Sequence, residues 1–227
     1  EFAYNSHMKA LAAQEKNLFQ EEIAPIKVKE NYLDERENMQ TREFEFTKDE
    51  GPRKGTSMEA LAKLKPVFAQ NGSITAGNSS QTSDGAAFVM VCSEKMVKEF
   101  NLKPIAKLIS YSVVGVEPRI MGIGPMHAIP MALKQANLKQ QDIDLIELNE
   151  AFAVQSLAVL QDLKVDPERV NIRGGAIALG HPIGCTGVRI TTTLLHEMKR
   201  RKVRYGLATM CIGVGQGAAI IYENMEA

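Results

Sequence analysis

Strand-like and helical stretches alternate through the second half of the chain. An extended run at 105–116 is followed by a helical pattern near 125–137, an apolar strand at 143–148 and a second helical pattern near 150–162. This alternation is typical of α/β proteins, in which helices cover the faces of a sheet. The second half of the chain is therefore predicted to have an α/β fold.

The end of the chain adds a glycine-rich segment, a helix and a hairpin. The glycine-rich segment at 174–187 leads into a helix with its apolar residues on one side: Ile190, Leu194, Leu195 and Met198. Two strands at 204–211 and 217–223 are joined by a tight glycine turn, which predicts an antiparallel hairpin.

The first residues follow a helical pattern. Residues 1–24 start without Met and place Met8, Leu11 and Ala12 on one face, so we expect a helix cut from a longer chain. The charged segment that follows contains one possible extended stretch, at 42–47.

Further along, a short helix, a strand and a second helix are predicted. Thr56 and Glu59 form a capping-box pattern that opens the short helix, and Pro66 closes it. The apolar run at 86–92 predicts a buried strand, and a helix is expected near 93–101.

Composition excludes several classes of protein. Hydrophobic residues make up 44% of the chain and 27 basic residues balance 27 acidic ones, so the chain is predicted to be globular and soluble, with no field that favours nucleic acid. No apolar run reaches the roughly 18 residues that a membrane helix needs. Cys92, Cys185 and Cys211 are too far apart to suggest a disulfide framework or a zinc site, which fits a reducing compartment.

The first candidate site motif is Asn-Glu-Ala-Phe-Ala at 149–153, directly after the strand at 143–148. A strand-to-helix junction lies at the carboxyl edge of a sheet, where α/β folds bind ligands. The alternative is structural: Asn149 would be the N-cap of the helix, and Glu150 an acid in its first turn.

The second motif is the segment 174–187, GGAIALGHPIGCTG. Its glycines allow sharp turns and the close approach of a ligand, and they surround His181, whose imidazole can exchange protons near neutral pH. The alternative is a structural histidine bonded to the backbone.

The third motif is Cys-Ile-Gly-Val-Gly-Gln-Gly at 211–217. A cysteine at a strand end, followed by glycines with free amides, suits a thiol acid/base beside an oxyanion hole. The alternative is a buried, inert cysteine that enters a hairpin. We expect Asn149, His181 and Cys211 to converge on one cleft, with the thiol pKa tuned towards neutrality.

These three motifs, in this order, resemble the C-terminal active-site motifs of the thiolase family. The resemblance extends to SHMKA and EEIAP within 6–25, to ITAGNSSQTSDGAA at 74–87 and to MGIGP at 121–125. It implies the five-layered α-β-α-β-α thiolase fold. This chain would supply its C-terminal half and part of the loop domain.

The resemblance also implies roles for individual residues. His181 would activate a nucleophilic cysteine and help to hold a thioester oxygen, and Cys211 would carry a proton to and from the α-carbon. Asn149 would position a water for one oxyanion hole, and the amide of Gly213 would serve a second hole.

Three further residues match positions that line the pantetheine tunnel of coenzyme A: Ser80, Met121 and Phe152. Coenzyme A and acyl-CoA would be substrates, and the resemblance implies no permanently bound cofactor and no metal. The implied reaction is cleavage of 3-ketoacyl-CoA to acetyl-CoA and a shortened acyl-CoA, as in fatty-acid β-oxidation, or the reverse condensation. NSSQTSDGAA and Val214 favour the degradative direction.

One departure from the family pattern concerns the nucleophile. The family's nucleophilic cysteine lies upstream of every matched segment, and neither Cys92 nor Cys185 aligns with it, so the chain alone is predicted not to turn over. His127 is predicted to lie at the surface or behind the site.

The domain division implied by the resemblance has three parts. Residues 1–70 would belong to the loop domain, 71–102 to the last strand and helix of the N-terminal domain, and 103–227 to the C-terminal domain. The protein would be a homodimer or homotetramer in a bacterial cytoplasm, with mitochondrial and peroxisomal locations as alternatives.

Two other functional interpretations stay open. One is a thiolase-like protein that binds acyl-CoA without catalysis or serves as a structural half of an assembly, and the other is a biosynthetic acetoacetyl-CoA thiolase. The basic run at 199–204 could suggest nucleic-acid binding. It lies at the end of a predicted helix, however, where cations interact favourably with the helix dipole.

Overall fold

The computed structural model describes residues 1–226, and its centre is a four-stranded mixed sheet. The strands in spatial order are β3 (Ala106–Gly115), β6 (Gln216–Asn224), β5 (Tyr205–Ile212) and β4 (Leu145–Leu148). β4 is parallel to β5, and the other two pairs are antiparallel. The predicted hairpin of the last two strands is therefore confirmed.

Seven α-helices occur within residues 1–226. They are α1 (Phe2–Glu15), α2 (Met58–Ala62), α3 (Glu94–Glu99), α4 (Gly124–Ala136), α5 (Ala153–Leu163), α6 (Ala176–Leu179) and α7 (Thr186–Arg201). The predicted alternation of strands and helices after residue 103 is confirmed. None of the helices in this described part is long and apolar enough to cross a bilayer.

The two faces of the sheet have separate apolar cores because successive side chains of a strand point to opposite faces. On one face, α4 and α5 pack against Leu207 and Ile221, both fully buried. On the other, Leu194 and Met198 of α7 pack against Ala208. The predicted apolar side of α7 is thus the side that the sheet buries.

α1 forms as predicted but buries a different face. Its buried residues are Ala3, Ser6, His7, Ala10 and Ala13, whereas Met8 and Leu11 are half-buried and Ala12 is exposed. The small side chains let the helix lie against Gly174, where any side chain would overlap the Ser6 carbonyl. Close backbone packing therefore overrode the apolar pattern.

A second sheet, formed by a single hairpin, lies in the charged segment. It pairs β1 (Ile26–Leu33) with β2 (Met39–Phe46), and the sequence predicted only the second of these strands. Every residue of both strands is exposed or half-buried, so this hairpin contributes nothing to the buried core of residues 1–226. The next helix, α2, is capped by Ser57 rather than by the predicted Thr56.

The buried strand predicted at 86–92 does not form. This segment has no strand partner among residues 1–226, and its side chains are exposed: Phe88 by 91%, Met90 by 78% and Val91 by 85%. A strand needs a neighbour to bond its backbone and cover its side chains, and the described chain offers none here. The helix predicted after it is present as α3.

Candidate active site at the carboxyl edge of the sheet

Asn149 and Cys211 lie on neighbouring strands at one edge of the main sheet. Asn149 follows β4 directly and is fully buried, and its backbone N–H donates to the Thr209 carbonyl at 3.0 Å. Since β4 runs parallel to β5 with Leu148 opposite Thr209, Cys211 lies two residues further along the adjacent strand. The two motifs therefore meet where α/β folds bind ligands.

The side chain of Asn149 points to a histidine and does not cap a helix. α5 begins at Ala153 with Phe152 as its N-cap, so the structural alternative for Asn149 is wrong. Its Nδ2 lies 3.4 Å from Nε2 of His181. Its Oδ1 is buried and accepts no hydrogen bond within residues 1–226.

Several bonds hold His181 in place at the start of its loop. Gly180, at φ +96°, turns the chain in a conformation that strongly favours glycine. The His181 N–H then donates to the Gln81 carbonyl at 3.3 Å, and the Gln81 amide donates to the carbonyls of Ile177 and Ala178. These bonds tie the backbone on both sides of Gly180 to Gln81 and so fix the position of His181.

The electrostatics of His181 favour a neutral ring. Burial lowers the pKa of its imidazole, and the positive charge of Arg189 lowers it further. Nδ1 lies 2.6 Å from the Thr186 hydroxyl. A neutral imidazole has one nitrogen that can accept a proton, which is the property that an acid/base group needs.

The thiol of Cys211 differs from the expectation of a near-neutral pKa. Burial raises its pKa above the ordinary value, and only a backbone contact opposes this. The side chain is 6% exposed and no cation contributes to the shift. Cys211 is therefore a protonated thiol near neutral pH.

Gly213 lies in the exposed turn that joins β5 to β6. The turn is held from behind, because the Val116 N–H donates to the Gly215 carbonyl at 2.8 Å. Val214 has φ +67°, an unusual conformation for a β-branched residue. Open space surrounds the side of Gly213 where a side chain would stand.

The residues matched to the pantetheine tunnel lie around the same edge. The Ser80 N–H donates to the Ala151 carbonyl at 2.9 Å, next to Phe152, whose ring meets Phe68 at a centroid distance of 5.9 Å. Met121 lies in the 3₁₀ turn that leads into α4, and this turn contacts α5. These contacts bring the segments of Ser80 and Phe152 together and place that of Met121 against the adjoining helix.

The sequence did not predict a buried hub that joins α1 to the site. Glu150, the second residue of the first motif, accepts from the Ser6 hydroxyl at 2.6 Å, from the Asn171 amide at 2.9 Å and from the Ile177 N–H at 3.2 Å. It is 2% exposed, so its interpretation as a helix-dipole acid is wrong. Its position beside Asn149 was the only signal for this hub.

A second buried carboxyl lies behind the site, on the α7 face of β4. Burial raises the pKa of Glu147 to about 8, and Arg189 opposes the shift. The guanidinium nitrogens of Arg189 make no hydrogen bond within residues 1–226. A positive charge therefore stands close to both Glu147 and His181.

The other cysteines and His127 were not predicted to act in this constellation. Cys185 is buried, and its pKa is raised by that burial. Cys92 is half-buried and follows the exposed segment 86–91. His127 is exposed on α4, which agrees with the first of its two predicted positions, the surface. Among the described residues, no three His, Cys, Asp or Glu side chains are grouped as metal ligands.

Comparison with known proteins agrees with this arrangement. Residues 102–224 match the family described as "Thiolase, C-terminal domain", and residues 1–95 match "Thiolase, N-terminal domain". The 3-ketoacyl-CoA thiolase of Bacillus subtilis is 50% identical over 98% of this chain, and the human peroxisomal 3-ketoacyl-CoA thiolase is 51% identical over 98%.

Solved structures show the same fold. The acetyl-CoA acetyltransferase of Bacillus anthracis superposes with a TM-score of 0.93 at 47% identity, covering 99% of this chain and 55% of that chain. Human mitochondrial 3-ketoacyl-CoA thiolase in complex with CoA superposes with a TM-score of 0.88 at 42% identity, covering 99% and 53% respectively.

The fold and the motifs define an α/β protein with a candidate site at the carboxyl edge of its sheet. The chain belongs to the thiolase family, and the thiolase fold predicted from its sequence is confirmed. It spans about half the length of the curated relatives that it matches, 57% of the Bacillus subtilis protein and 52% of the human peroxisomal one.

Proposed function

We propose that the protein containing this chain cleaves 3-ketoacyl-CoA by thiolysis to acetyl-CoA and a shortened acyl-CoA, a reaction of fatty-acid β-oxidation, or runs the reverse condensation. One observation carries the proposal: the Asn149 amide lies 3.4 Å from the His181 imidazole and follows β4, which is paired with the strand that carries Cys211 near its end. An amide, an imidazole and a thiol at one sheet edge suit chemistry at a thioester carbonyl.

In the proposed mechanism, Asn149 and His181 stabilise an enolate oxygen. Negative charge develops on the thioester oxygen when the bond to the α-carbon breaks, and hydrogen-bond donors aimed at that oxygen lower the barrier. Asn149 would hold a water for this purpose, and the amide of Gly213, in its open turn, would serve the second oxyanion hole.

The protonated thiol of Cys211 suits the proton donation that thiolysis requires. When the carbon–carbon bond breaks, the acetyl-CoA carbanion needs a proton, and the Cys211 thiol can supply it. The resulting thiolate then takes the proton of the incoming coenzyme A thiol, which attacks the acyl group. The thiol thus ends the cycle protonated, as burial favours at its start.

The acyl group itself would be carried by a cysteine outside these residues. Neither Cys92 nor Cys185 aligns with the nucleophilic cysteine of the family, and the chain spans about half the length of its curated relatives. We therefore propose that turnover requires an upstream region, in the same chain or in another. Within the resulting protein, 1–70 would be loop domain, 71–102 would close the N-terminal domain and 103–227 would form the C-terminal domain. Residue 227 lies outside the described residues.

Ser80, Met121 and Phe152 are proposed to line the path of the pantetheine arm. The segments that carry them border the cleft from two sides, at the 79–80 strand bridge and at the turn before α4. The CoA complex of the human mitochondrial relative supports CoA as the ligand. The assembly is proposed to be a homodimer or homotetramer.

A biosynthetic role is the second candidate. Acetyl-CoA acetyltransferases of Allochromatium vinosum and Pseudomonas aeruginosa are 48% and 51% identical to this chain. The same three side chains would serve condensation, with Cys211 removing the α-proton instead of supplying it. The cytoplasmic location stays a prediction, since both bacterial and peroxisomal proteins are similar to the chain.

Thiolysis of acetoacetyl-CoA in the presence of coenzyme A tests the proposal. We expect no turnover by the 227-residue chain, and turnover by the longer protein that falls at least about 100-fold in Cys211→Ser and in Asn149→Ala. Cys92→Ser is the matched control and keeps full activity. Appreciable turnover by the chain alone would refute the upstream nucleophile. A longer protein that binds acyl-CoA without cleaving it would instead be a binding protein.

A further inference from the structure

The side chain of Thr186 is placed to control which nitrogen of His181 carries the proton. Thr186 is the first residue of α7 and is fully buried. Its hydroxyl oxygen lies 2.6 Å from Nδ1 of His181 and 2.9 Å from the carbonyl oxygen of Pro182. The hydroxyl therefore stands between a ring nitrogen and an acceptor.

The number of protons available decides the direction of these two bonds. A carbonyl oxygen can only accept, so the single hydroxyl proton of Thr186 must point at Pro182 for that contact to be a hydrogen bond. The hydroxyl oxygen can then only accept from His181. The Pro182 carbonyl also accepts from the backbone N–H groups of Cys185 and Thr186. The arrangement in which Nδ1 carries a hydrogen and donates it to Thr186 is the one that makes both contacts of the hydroxyl hydrogen bonds.

The contact at the other ring nitrogen agrees with this assignment for the amide orientation that the structure has. Nε2 of His181 faces the Nδ2 of Asn149, a group that has hydrogens and no lone pair to offer. If Nε2 carried a hydrogen, it would be a donor facing the donor Nδ2 of Asn149, and no hydrogen bond could form between them. A lone pair on Nε2 gives a bond at each end of the ring.

We propose that Thr186 is a positioning residue that holds neutral His181 in the Nδ1–H tautomer, with the Nε2 lone pair directed into the cleft. The bond to Thr186 persists when the ring accepts a proton at Nε2, because Nδ1 carries its hydrogen in the imidazolium as well. The Asn149 amide must then turn, since its Nδ2 hydrogens would face a donor. The opposite tautomer would have no lone pair in the cleft and could not act as a base there. The catalytic meaning of this inference rests on the proposed function, but the tautomer itself does not.

Long-range ¹H–¹⁵N NMR of the uniformly ¹⁵N-labelled 227-residue chain measures the tautomer directly. His181 is assigned by the loss of its signals in His181→Asn, and spectra are recorded at a pH where the ring is neutral. In the unsubstituted chain we expect a pyrrole-like Nδ1 and a pyridine-like Nε2. A pyridine-like Nδ1 would overturn the proposal.

Substitution of Thr186 provides the second arm. Thr186→Val keeps the shape and removes the hydroxyl, and we expect the ratio of the Nδ1–H to the Nε2–H form to fall roughly tenfold. Thr186→Ser restores the hydroxyl and the original ratio. Thr191→Val is the matched control, since Thr191 is also buried on α7 but its hydroxyl contacts Tyr222.

Each outcome decides the proposal without reference to turnover. An unchanged ratio in folded Thr186→Val would overturn it, as would a similar change in Thr191→Val. If Thr186→Val does not fold, as judged by its thermal transition, the unsubstituted chain and Thr186→Ser decide it alone. An inactive protein with the expected tautomer would contradict the proposed function and leave this inference intact.

Discussion

The main sheet and the segment 84–92 are both rich in apolar residues, but only the sheet buries them. Leu194 and Leu207 are essentially inaccessible, because α4, α5 and α7 cover both faces of the sheet where they lie. Phe88 and Val91 project into solvent, and residues 1–226 place no strand beside them. Apolar sequence therefore produces a buried strand only where the same chain also supplies partners for its backbone and side chains.

The largest expected effect contrasts one buried and one exposed apolar residue. Leu194→Ala removes a side chain packed between α7 and the sheet, so we expect the free energy of unfolding to fall by about 3 kcal/mol. Phe88→Ala should change it by less than about 0.5 kcal/mol, since Phe88 is 91% exposed. Urea unfolding of the chain measures both. Equal losses would mean that the two regions do not differ as described.

The second prediction contrasts two glycines of one hairpin. A Cβ at Gly217 would overlap the backbone of Gly124, where the hairpin meets the start of α4. We expect Gly217→Ala to destabilise the chain by about 2 kcal/mol, because neither backbone can move without disturbing the sheet. Gly213→Ala is the control, with a loss below about 0.5 kcal/mol, because a Cβ there meets open space. Similar losses in the two variants would contradict the packing of the hairpin on α4.

The smallest effect concerns the charges that the sheet region buries. Burial raises the pKa of Glu147 to about 8 and that of Glu22 to about 7, from an ordinary value of 4.5. The folded state then holds protons that the unfolded state releases, so stability falls as pH rises from about 4.5 towards 8.

Glu147→Gln tests this pH dependence. In the unsubstituted chain the free energy of unfolding falls with pH. In the variant we expect this slope to be less steep by up to about 1 kcal/mol per pH unit between about pH 5 and 7. Urea unfolding at several pH values gives the slope directly. A variant with the slope of the unsubstituted chain would show that Glu147 is not protonated in the folded state.

The features that the sequence predicted correctly are those that depend on local periodicity and on the order of the motifs. The alternation after residue 103, the closing hairpin and the apolar side of α7 follow from local pattern and are all present. The thiolase fold followed from three motifs taken together, none of which was decisive by itself.

Three of the errors share a physical cause, since each depended on a contact between distant residues. Asn149 resembles a helix cap locally, but it faces His181, 32 residues away. The buried face of α1 is set by Gly174, and the burial of Glu150 by Ser6. No local pattern could reveal these pairings. The bond between His181 and Thr186 spans only five residues, yet it depends on a turn that the glycine-rich sequence does not specify.

The most direct test of the account is a crystal structure of the protein with acetyl-CoA bound. We predict that the thioester oxygen lies near the Nε2 of His181 and the amide of Asn149, with the sulfur of Cys211 beside the α-carbon. A thioester bound away from this edge, or a Cys211 sulfur separated from the His181 ring by protein with no shared cavity, would contradict it.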